Sequence, residues 1–185
     1  MRGSFVLTAA VALLAAPVTL RAQDTAPLGK FDVAIKFGYV VFSEGVTEDD
    51  GFYLGLAGYG RVAANVYVGA EVAGASTVTL FTDEMTLLPL ELNVKYARPV
   101  GSHFALAGGA GLTYARAEFH DEGVIGPDVV YEEWLFGGQA FADFVYRIKW
   151  FELGVNAKYQ LMGDFEQVPA DFSNFRVGLR VGVVF

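Results

Sequence analysis

The residue types that most often perform catalysis are scarce in this sequence. The chain has only two histidines, His103 and His120, and it has no cysteine, which excludes thiolate chemistry. His103 follows Ser102 in a predicted tight turn, and His120 is flanked by Glu118 and Asp121 with no serine near it. A nucleophilic triad needs a nucleophile, a base and an orienting group held together. The sequence therefore predicts no catalytic, cofactor-binding or resident metal site, and we do not expect an enzyme.

Carboxylates are abundant, and they are unevenly distributed. There are 21 Asp and Glu against 13 Lys and Arg, a formal net charge of −8. Fifteen of the acids fall in four predicted loops that contain no Lys or Arg, namely 43–51, 77–85, 117–133 and 162–174. Glu48-Asp49-Asp50 suggests one hypothesis, a surface for divalent cations or for a cationic partner. The alternative is that the charges only keep the loops soluble, because no loop has the spaced D-x-D-x-D-G pattern of calcium loops.

Composition excludes several other classes of protein. A length of 185 residues allows one domain of ordinary size, and 54% hydrophobic residues is too high a fraction for a disordered chain. The acidic balance argues against a nucleic-acid partner, whose phosphates require a basic surface. A positive mean hydropathy of +0.38 in a chain with 22 glycines makes the orientation of the apolar side chains the central question.

The first 22 residues have the organisation of a cleaved signal peptide. Arg2 provides a basic start, and residues 5–16 are nearly all apolar. This run of about 12 residues is too short for a membrane-spanning helix, which needs roughly 20. Cleavage after Ala22 would leave one domain of residues 23–185 and would change the net charge from −8 to −10, since Arg2 and Arg21 are removed.

Alternation of apolar with small or polar residues predicts eight β-strands. The alternation is strict in 31–42, 88–98, 151–161 and 175–185, and weaker in 52–62, 66–76, 104–116 and 134–146. Within 52–62 it fades after Leu56, which suggests a bulge or a register change. Connections are long after the odd-numbered strands and short after the even-numbered ones. This predicts an up-and-down meander with both termini at the tight-turn end.

The less apolar face of the strands distinguishes a soluble barrel from a membrane barrel. It carries five acids and five bases, together with many Gly and Ala: Asp32, Glu71, Glu91, Asp143, Glu152, Lys36, Lys95, Lys158, Arg176 and Arg180. We also assign Arg61 and Arg116 to the ends of this face. Balanced charges can pair inside a narrow barrel. In water the opposite, apolar face would form an exposed band far larger than soluble monomers tolerate.

The length of the strands and the placement of their aromatic residues agree with an inverted arrangement, in which the apolar side chains face outward and the charged ones face inward. Strands of about 11 residues tilted by about 45° match a bilayer core. Outward aromatic residues concentrate at the two ends of the strands, as in the girdles of membrane barrels. The sequence therefore predicts an all-β protein, an eight-stranded antiparallel up-and-down transmembrane β-barrel, with an ion-pair network in the lumen.

Three segments carry a resemblance to a known family: the terminal strand 175–185, the glycine-rich run 108–112 and the alternating run 90–96. Across about 30–185 the sequence resembles the small outer-membrane β-barrels of the OmpA/OmpX type. The resemblance implies an outer-membrane location after export and contact with membrane lipid and lipopolysaccharide. It also implies a monomer whose C-terminal residues Val181, Val183 and Phe185 act as a signal for the barrel-assembly machinery.

Function follows less directly, because one fold hosts many functions. We expect an integral barrel with a charge-filled lumen and acidic extracellular loops, in a structural or surface-interaction role. Eight strands leave an interior just wide enough for side chains, which the ion pairs would fill. The alternative is a narrow porin for small or apolar solutes, as in OmpW-like barrels, if Gly and Ala leave gaps beside the charges.

Overall fold

The chain forms a closed antiparallel β-barrel. The computed structural model describes residues 29–44, 51–77, 84–121, 129–166 and 171–185. The predicted signal peptide and the Glu48-Asp49-Asp50 segment lie outside these residues. Within the described ranges, no helix is long and apolar enough to cross a membrane.

Eight strands follow one another around the barrel in chain order, and the last pairs with the first. Their bounds are β1 Phe31–Glu44, β2 Gly51–Ala63, β3 Val66–Thr77, β4 Glu84–Val100, β5 Phe104–Asp121, β6 Val129–Ile148, β7 Phe151–Met162 and β8 Asp171–Val184. All neighbouring pairs are antiparallel. The prediction of an eight-stranded antiparallel up-and-down barrel is confirmed.

Alternation along each strand separates the two faces of the wall. In β4, every second residue from Met85 to Ala97 is buried inside the barrel. The residues between them are mostly apolar and exposed outside, with Leu92 at 64% and Leu90 at 54%. Because successive side chains of a strand point to opposite faces, this period of two fixes which residues meet in the lumen.

Both termini of the barrel lie at the tight-turn end. The short turns there are residues 64–65, 101–103 and 149–150. The barrel closes at the same end, where Phe31 N–H donates to the carbonyl oxygen of Phe185 at 2.8 Å and Phe185 N–H donates to that of Phe31 at 3.1 Å. We call this the inner end, and the opposite one, where the long connections lie, the outer end.

Three strands are at least four residues longer than the 10 to 13 residues that the alternation indicates, whereas β1 and β8, with 14 residues each, exceed that range by one. β4, β5 and β6 have 17, 18 and 20 residues. The β5–β6 ladder continues to the pair Asp121 and Val129, so most of the predicted loop 117–133 is strand. Acidic residues on the outward positions disguise this extension. It persists because inward-facing Ala117, Phe119 and Leu135 are buried in an apolar cluster at the outer end.

The register change suggested within 52–62 lies at the end of that segment. Pairing of β1 with β2 is regular through Gly58 and Gly60. The irregularity occurs between Arg61 and Ala63, in the pairing of β2 with β3. Glycine on the outward face therefore weakens the apolar pattern without interrupting the strand.

Candidate functional site in the barrel lumen

The ten predicted lumen residues all face the barrel interior, and none is more than 6% exposed. They come from β1, β3, β4, β6, β7 and β8. Side chains far apart in sequence therefore meet only because the barrel closes. They divide into a central cluster and an inner cluster.

The central cluster is built around Glu71 and contains Lys36, Glu91, Lys158 and Arg176. Glu71 accepts hydrogen bonds from the Nζ atoms of Lys36 at 2.8 Å and Lys158 at 2.7 Å. Lys158 Nζ also donates to Glu91 Oε2 at 2.5 Å, and Arg176 Nη1 lies 3.6 Å from Glu91 Oε1. The cluster has three cations and two anions, and it connects five strands across the lumen.

The inner cluster is built around Asp32, Glu152 and Arg180. Asp32 accepts from both Lys95 and Arg180, and Arg180 Nη1 donates to Glu152 Oε2 at 2.5 Å. Arg147 joins them, since its Nε donates to Glu152 Oε1 at 2.8 Å. These contacts tie β1, β4, β6, β7 and β8 together near the inner end.

Arg147 was not among the predicted lumen residues, although its sequence position lies near a tight turn at the end of an alternating strand. Its side chain is instead only 8% exposed. The signal was available in the alternation of β6, where Arg147 occupies the same face as Asp143. With Arg147 included, the described residues place six buried cations and five buried anions in the lumen.

Neutral polar side chains form a further part of the lumen network, and they were not among its predicted members. Gln139 Nε2 donates to Glu91 Oε2 at 3.0 Å and to Asn93 Oδ1 at 2.7 Å. Gln160 Oε1 accepts from Arg176 Nη2 at 2.6 Å, and its Nε2 donates to Thr113 Oγ1 at 2.9 Å. These side chains satisfy donors and acceptors that the ion pairs leave over. The alternation of the strands places these residues on the inward face, but the predicted network was built from opposite charges, and these side chains are uncharged.

Apolar side chains close the outer end of the lumen. This outer layer is formed by buried residues of seven strands together with one residue that follows β7, and its largest members are Tyr53, Met85, Leu87, Phe119, Leu135, Phe165 and Phe172. Phe165 and Phe172 have ring centroids 5.1 Å apart. Along β4 the order from the outer end is apolar Met85 and Leu87, then Glu91 and Lys95. The lumen is therefore layered along its axis, with apolar packing outside the ion pairs.

The inner end contains aromatic and small residues around the inner cluster. Tyr59, Tyr67 and Phe141 pack with several alanines there. Lys95 Nζ lies 4.0 Å from the ring centroid of Tyr59, a cation–π contact that stabilises the buried ammonium. Small residues predominate here, unlike in the outer layer.

Arg116 does not belong to the lumen face, and that assignment was wrong. It shares the outward positions of β5 with Leu112 and Tyr114, and its side chain is 37% exposed. Its guanidinium lies 2.5 Å from Glu118 and 2.6 Å from Glu132, on the outside of the barrel near the outer end. Arg61, also assigned to an end of the lumen face, is exposed at the end of β2.

The outer wall carries aromatic pairs near both ends. At the outer end, Tyr114 stacks on Trp134 with centroids 4.9 Å apart. At the inner end, Phe104 stacks on Phe144 at 5.4 Å. Aliphatic residues cover the wall between these bands, with exposures of 50% for Val155 and 64% for Leu92. Such girdles around an apolar band are typical of membrane barrels.

The histidines do not assemble a catalytic site in the described residues. Ser102 Oγ lies 2.7 Å from His103 Nδ1, but both residues are exposed in a turn, and the imidazole stacks on Tyr146. His120 pairs with Glu84 in the β4–β5 ladder. A nucleophile and its base need a third group to orient the base, and among the described residues neither histidine contacts such a group. Among the described residues, no group of three or more His, Asp or Glu could hold a metal ion.

The residues of the predicted assembly signal lie on the outward face of β8. Phe185 is 68% exposed and packs against Phe31, with ring centroids 5.6 Å apart. Val181 and Val183 precede it on the same face. Their role in assembly stays a prediction.

Deleting Phe185 is expected to reduce the fraction of chains that insert as folded barrels. The deletion removes both backbone hydrogen bonds with Phe31 at the β1–β8 closure and the exposed terminal ring. Heat-modifiable electrophoretic mobility of membrane fractions measures the folded fraction. Phe175→Ala is the matched control, because Phe175 is an exposed aromatic of the same strand at its other end. Normal insertion of the truncated chain would count against an assembly signal.

An apolar outer wall around a buried polar interior defines the class of fold, that of the small eight-stranded outer-membrane barrels. Solved structures of this class are similar to the chain. Neisserial surface protein A (NspA) superposes with a TM-score of 0.71 at 16% identity, covering 86% of this chain and 100% of that chain. Ail, the attachment invasion locus protein of Yersinia pestis, gives 0.53 at 10% identity, covering 85% and 98%. OprG from Pseudomonas aeruginosa gives 0.52 at 14% identity, covering 86% and 99%.

No protein-family model matches the sequence, and no curated protein matches it. At identities of 10 to 16%, the structural similarity establishes the fold alone. It confirms the predicted resemblance to barrels of the OmpA/OmpX type at that level. Ail has also been solved in complex with the heparin analogue sucrose octasulfate.

Proposed function

We propose that this protein is an integral barrel of the outer membrane whose lumen is closed, and that it acts as a structural or surface-interaction protein. The observation that carries the proposal is the polarity of the barrel wall, which is apolar outside and charged inside. Large apolar side chains such as Leu54 and Phe136 are 62% exposed outside, while Lys36 and Glu91 are fully buried inside. Lipid favours this arrangement and water opposes it, because an exposed apolar band of this extent would drive association.

Orientation follows from the unequal connections. Barrels of this class have short periplasmic turns and long extracellular loops. The inner end, with both termini and the tight turns, therefore faces the periplasm, and the acidic connections face outward. The predicted signal peptide, residues 1–22, accounts for export, although it lies outside the described residues.

The closed lumen is supported by two barriers in series. The central cluster spans the interior with side chains that are at most 1% exposed, and the outer layer adds Met85, Leu87 and Phe172 at 0%. An ion passing through would have to separate buried ion pairs and then cross an apolar constriction. Both steps are unfavourable in a medium of low dielectric constant.

Planar-bilayer recordings are expected to show no stable unitary currents from the reconstituted wild-type protein. The physical reason is the continuous packing of the central cluster and the outer layer. Incorporation is verified independently by protease protection of the reconstituted barrel, so that an absence of current cannot be due to failed insertion. Reproducible ohmic currents would contradict the closed lumen.

A narrow pathway for apolar solutes remains the second candidate, and one observation favours it. The outer layer is apolar, as a binding region for an apolar solute would be. The charged central cluster beneath it opposes passage of the same solute along the axis. Uptake of an apolar dye into vesicles that contain the protein, at a rate above that of protein-free vesicles, would support this candidate.

The proposed partners are membrane lipid, lipopolysaccharide and the barrel-assembly machinery, with the protein as a monomer. Outward charge favours a cationic or divalent-cation partner for the external end, because the predicted outer loops carry 15 acids and no Lys or Arg, and the adjacent Arg116 pairs with only two of these acids, Glu118 and Glu132. The polyanion bound by Ail is therefore a poor guide to a ligand of this chain. We propose no catalytic activity.

A further inference from the structure

A small cavity lies inside the lumen at the inner end. Its volume is about 20 Å³, and its lining includes Asp32, Lys95, Ala107, Asp143, Arg147 and Arg180. A space of this size accommodates roughly one water molecule, provided that polar groups surround it. Six charged side chains in total line this one, so it meets both conditions.

Asp143 gives this cavity a specific polar partner. Its side chain is 2% exposed, and its Oδ1 accepts a hydrogen bond from Asn156 Nδ2 at 2.5 Å. Its Oδ2 is buried without a hydrogen-bond partner among the described residues, and it lies 3.8 Å from Arg180 Nε. A buried carboxylate oxygen without a partner is costly. At this separation the two atoms make no direct hydrogen bond, so a bridging water molecule is the arrangement that would satisfy both.

Exposure along the lumen shows from which end this cavity is reached. On β5, inward-facing Ala107 is 8% exposed, whereas Ala115 and Ala117 on the same face are 0% exposed. At the inner ends of β4 and β8, Ala97 and Val184 are each 7% exposed. In the outer layer the most exposed member is Phe165, at 5%, and every other buried member is at most 3% exposed. Solvent therefore reaches the inner end more readily than the outer layer.

We propose that the inner half of the lumen is a hydrated vestibule, entered only from the tight-turn end, with a water-binding site between Asp143 and Arg180 at its blind end. This goes beyond the proposed function, because a barrel without ion conduction could equally be packed shut at both ends. The vestibule admits water up to the inner cluster and no further.

Single cysteines test the proposal, since the native chain contains none. Ala107→Cys and Ala115→Cys form a matched pair on one strand and one face. Each folded variant is treated with iodoacetamide in detergent micelles, where both ends of the barrel are accessible, and labelling is followed by mass spectrometry. Ala107→Cys is expected to react at least about tenfold faster, since Ala115→Cys would react only after local opening. Both must react equally after unfolding.

Two results would overturn the vestibule. Protection of both cysteines would show that the inner end is packed shut, and equal reactivity of the folded variants would show that the outer end is open. If Ala107→Cys fails to fold, Ala97→Cys replaces it, because both residues lie at the inner end. If Ala115→Cys fails to fold, Ala117→Cys replaces it, because both residues lie in the outer layer. Unitary currents would contradict the closed lumen instead, so the two proposals fail by different measurements.

The water site has its own readout in the folded wild-type protein. Magnetisation transfer from bulk water to the Asn156 side-chain amide in NMR spectra is expected, because this amide shares the Asp143 carboxylate with the bridging water. The Gln160 amide, between the central cluster and the outer layer, is the control and is expected to show none. Absence of transfer to Asn156 would overturn the water site.

Discussion

Replacing Glu71 by glutamine is expected to lower the free energy of unfolding by about 3–5 kcal/mol, the range found when one partner of a buried ion pair is removed. Glu71 accepts from both Lys36 and Lys158, and none of the three side chains is more than 1% exposed. Glutamine keeps the shape but removes the charge. The central cluster would then hold three cations against Glu91 alone.

Denaturant titration of the folded barrel in lipid vesicles measures this loss. Glu132→Gln is the matched control, because Glu132 pairs with Arg116 on the outside and its side chain is 52% exposed. Removing that pair should cost at most about 1 kcal/mol. The double variant Glu71→Gln with Lys158→Gln should cost less than the sum of the single variants, since it removes one unpaired cation. If Glu71→Gln lowers the free energy of unfolding by less than about 1 kcal/mol, the buried ion pairs of Glu71 do not stabilise the barrel as argued.

Leu92→Arg is expected to destabilise the barrel by about 2–4 kcal/mol in a bilayer, the cost of an arginine on the lipid-facing side at the midplane. Leu92 is the central outward residue of β4 and is 64% exposed. Its neighbours across the ladder are Ala70 and Leu112, which offer no carboxylate. The guanidinium would have to reach water along the wall.

Val62→Arg provides the comparison of depth. Val62 is 65% exposed, as Leu92 is, but it lies next to the turn at residues 64–65, at the inner end. The same substitution there should cost about 0–1 kcal/mol, because the cost falls toward the interface. Equal costs at both positions, measured by denaturant titration in the same vesicles, would argue that the outer wall does not face lipid.

The faces of the strands could be assigned from sequence because they depend on a local property. A period of two requires no knowledge of neighbouring strands, so Lys36, Glu91 and Arg180 could be assigned to the inward face before any pairing was known. Alternation weakened wherever glycine or an acid occupied an outward position. That is why β2 suggested an irregularity too early and why β5 and β6 were predicted too short.

Errors at the ends of strands had a common physical cause. Arg116 and Arg147 both lie near strand ends, where composition changes gradually and charge is compatible with either face. Alternation still separates the two cases, because Arg116 shares the outward positions of Tyr114 and Arg147 shares the inward face of Asp143. The cross-strand pairs of Arg147 with Glu152 and of Arg116 with Glu132 cannot be identified from the spacing within one strand.

By itself, the sequence determined the class of fold, the number of strands and the inverted polarity of the wall, and it predicted ten charged residues on the inward face, since each depends on short-range alternation and charge. Only the tertiary structure decided which residues pair, such as Asp32 with Arg180 across 148 positions of the chain. It alone also revealed the apolar outer layer and the cavity beside Asp143. These features arise from closure of the barrel, which sets the height of each strand against its neighbours, and that height depends on the register of all eight strands together.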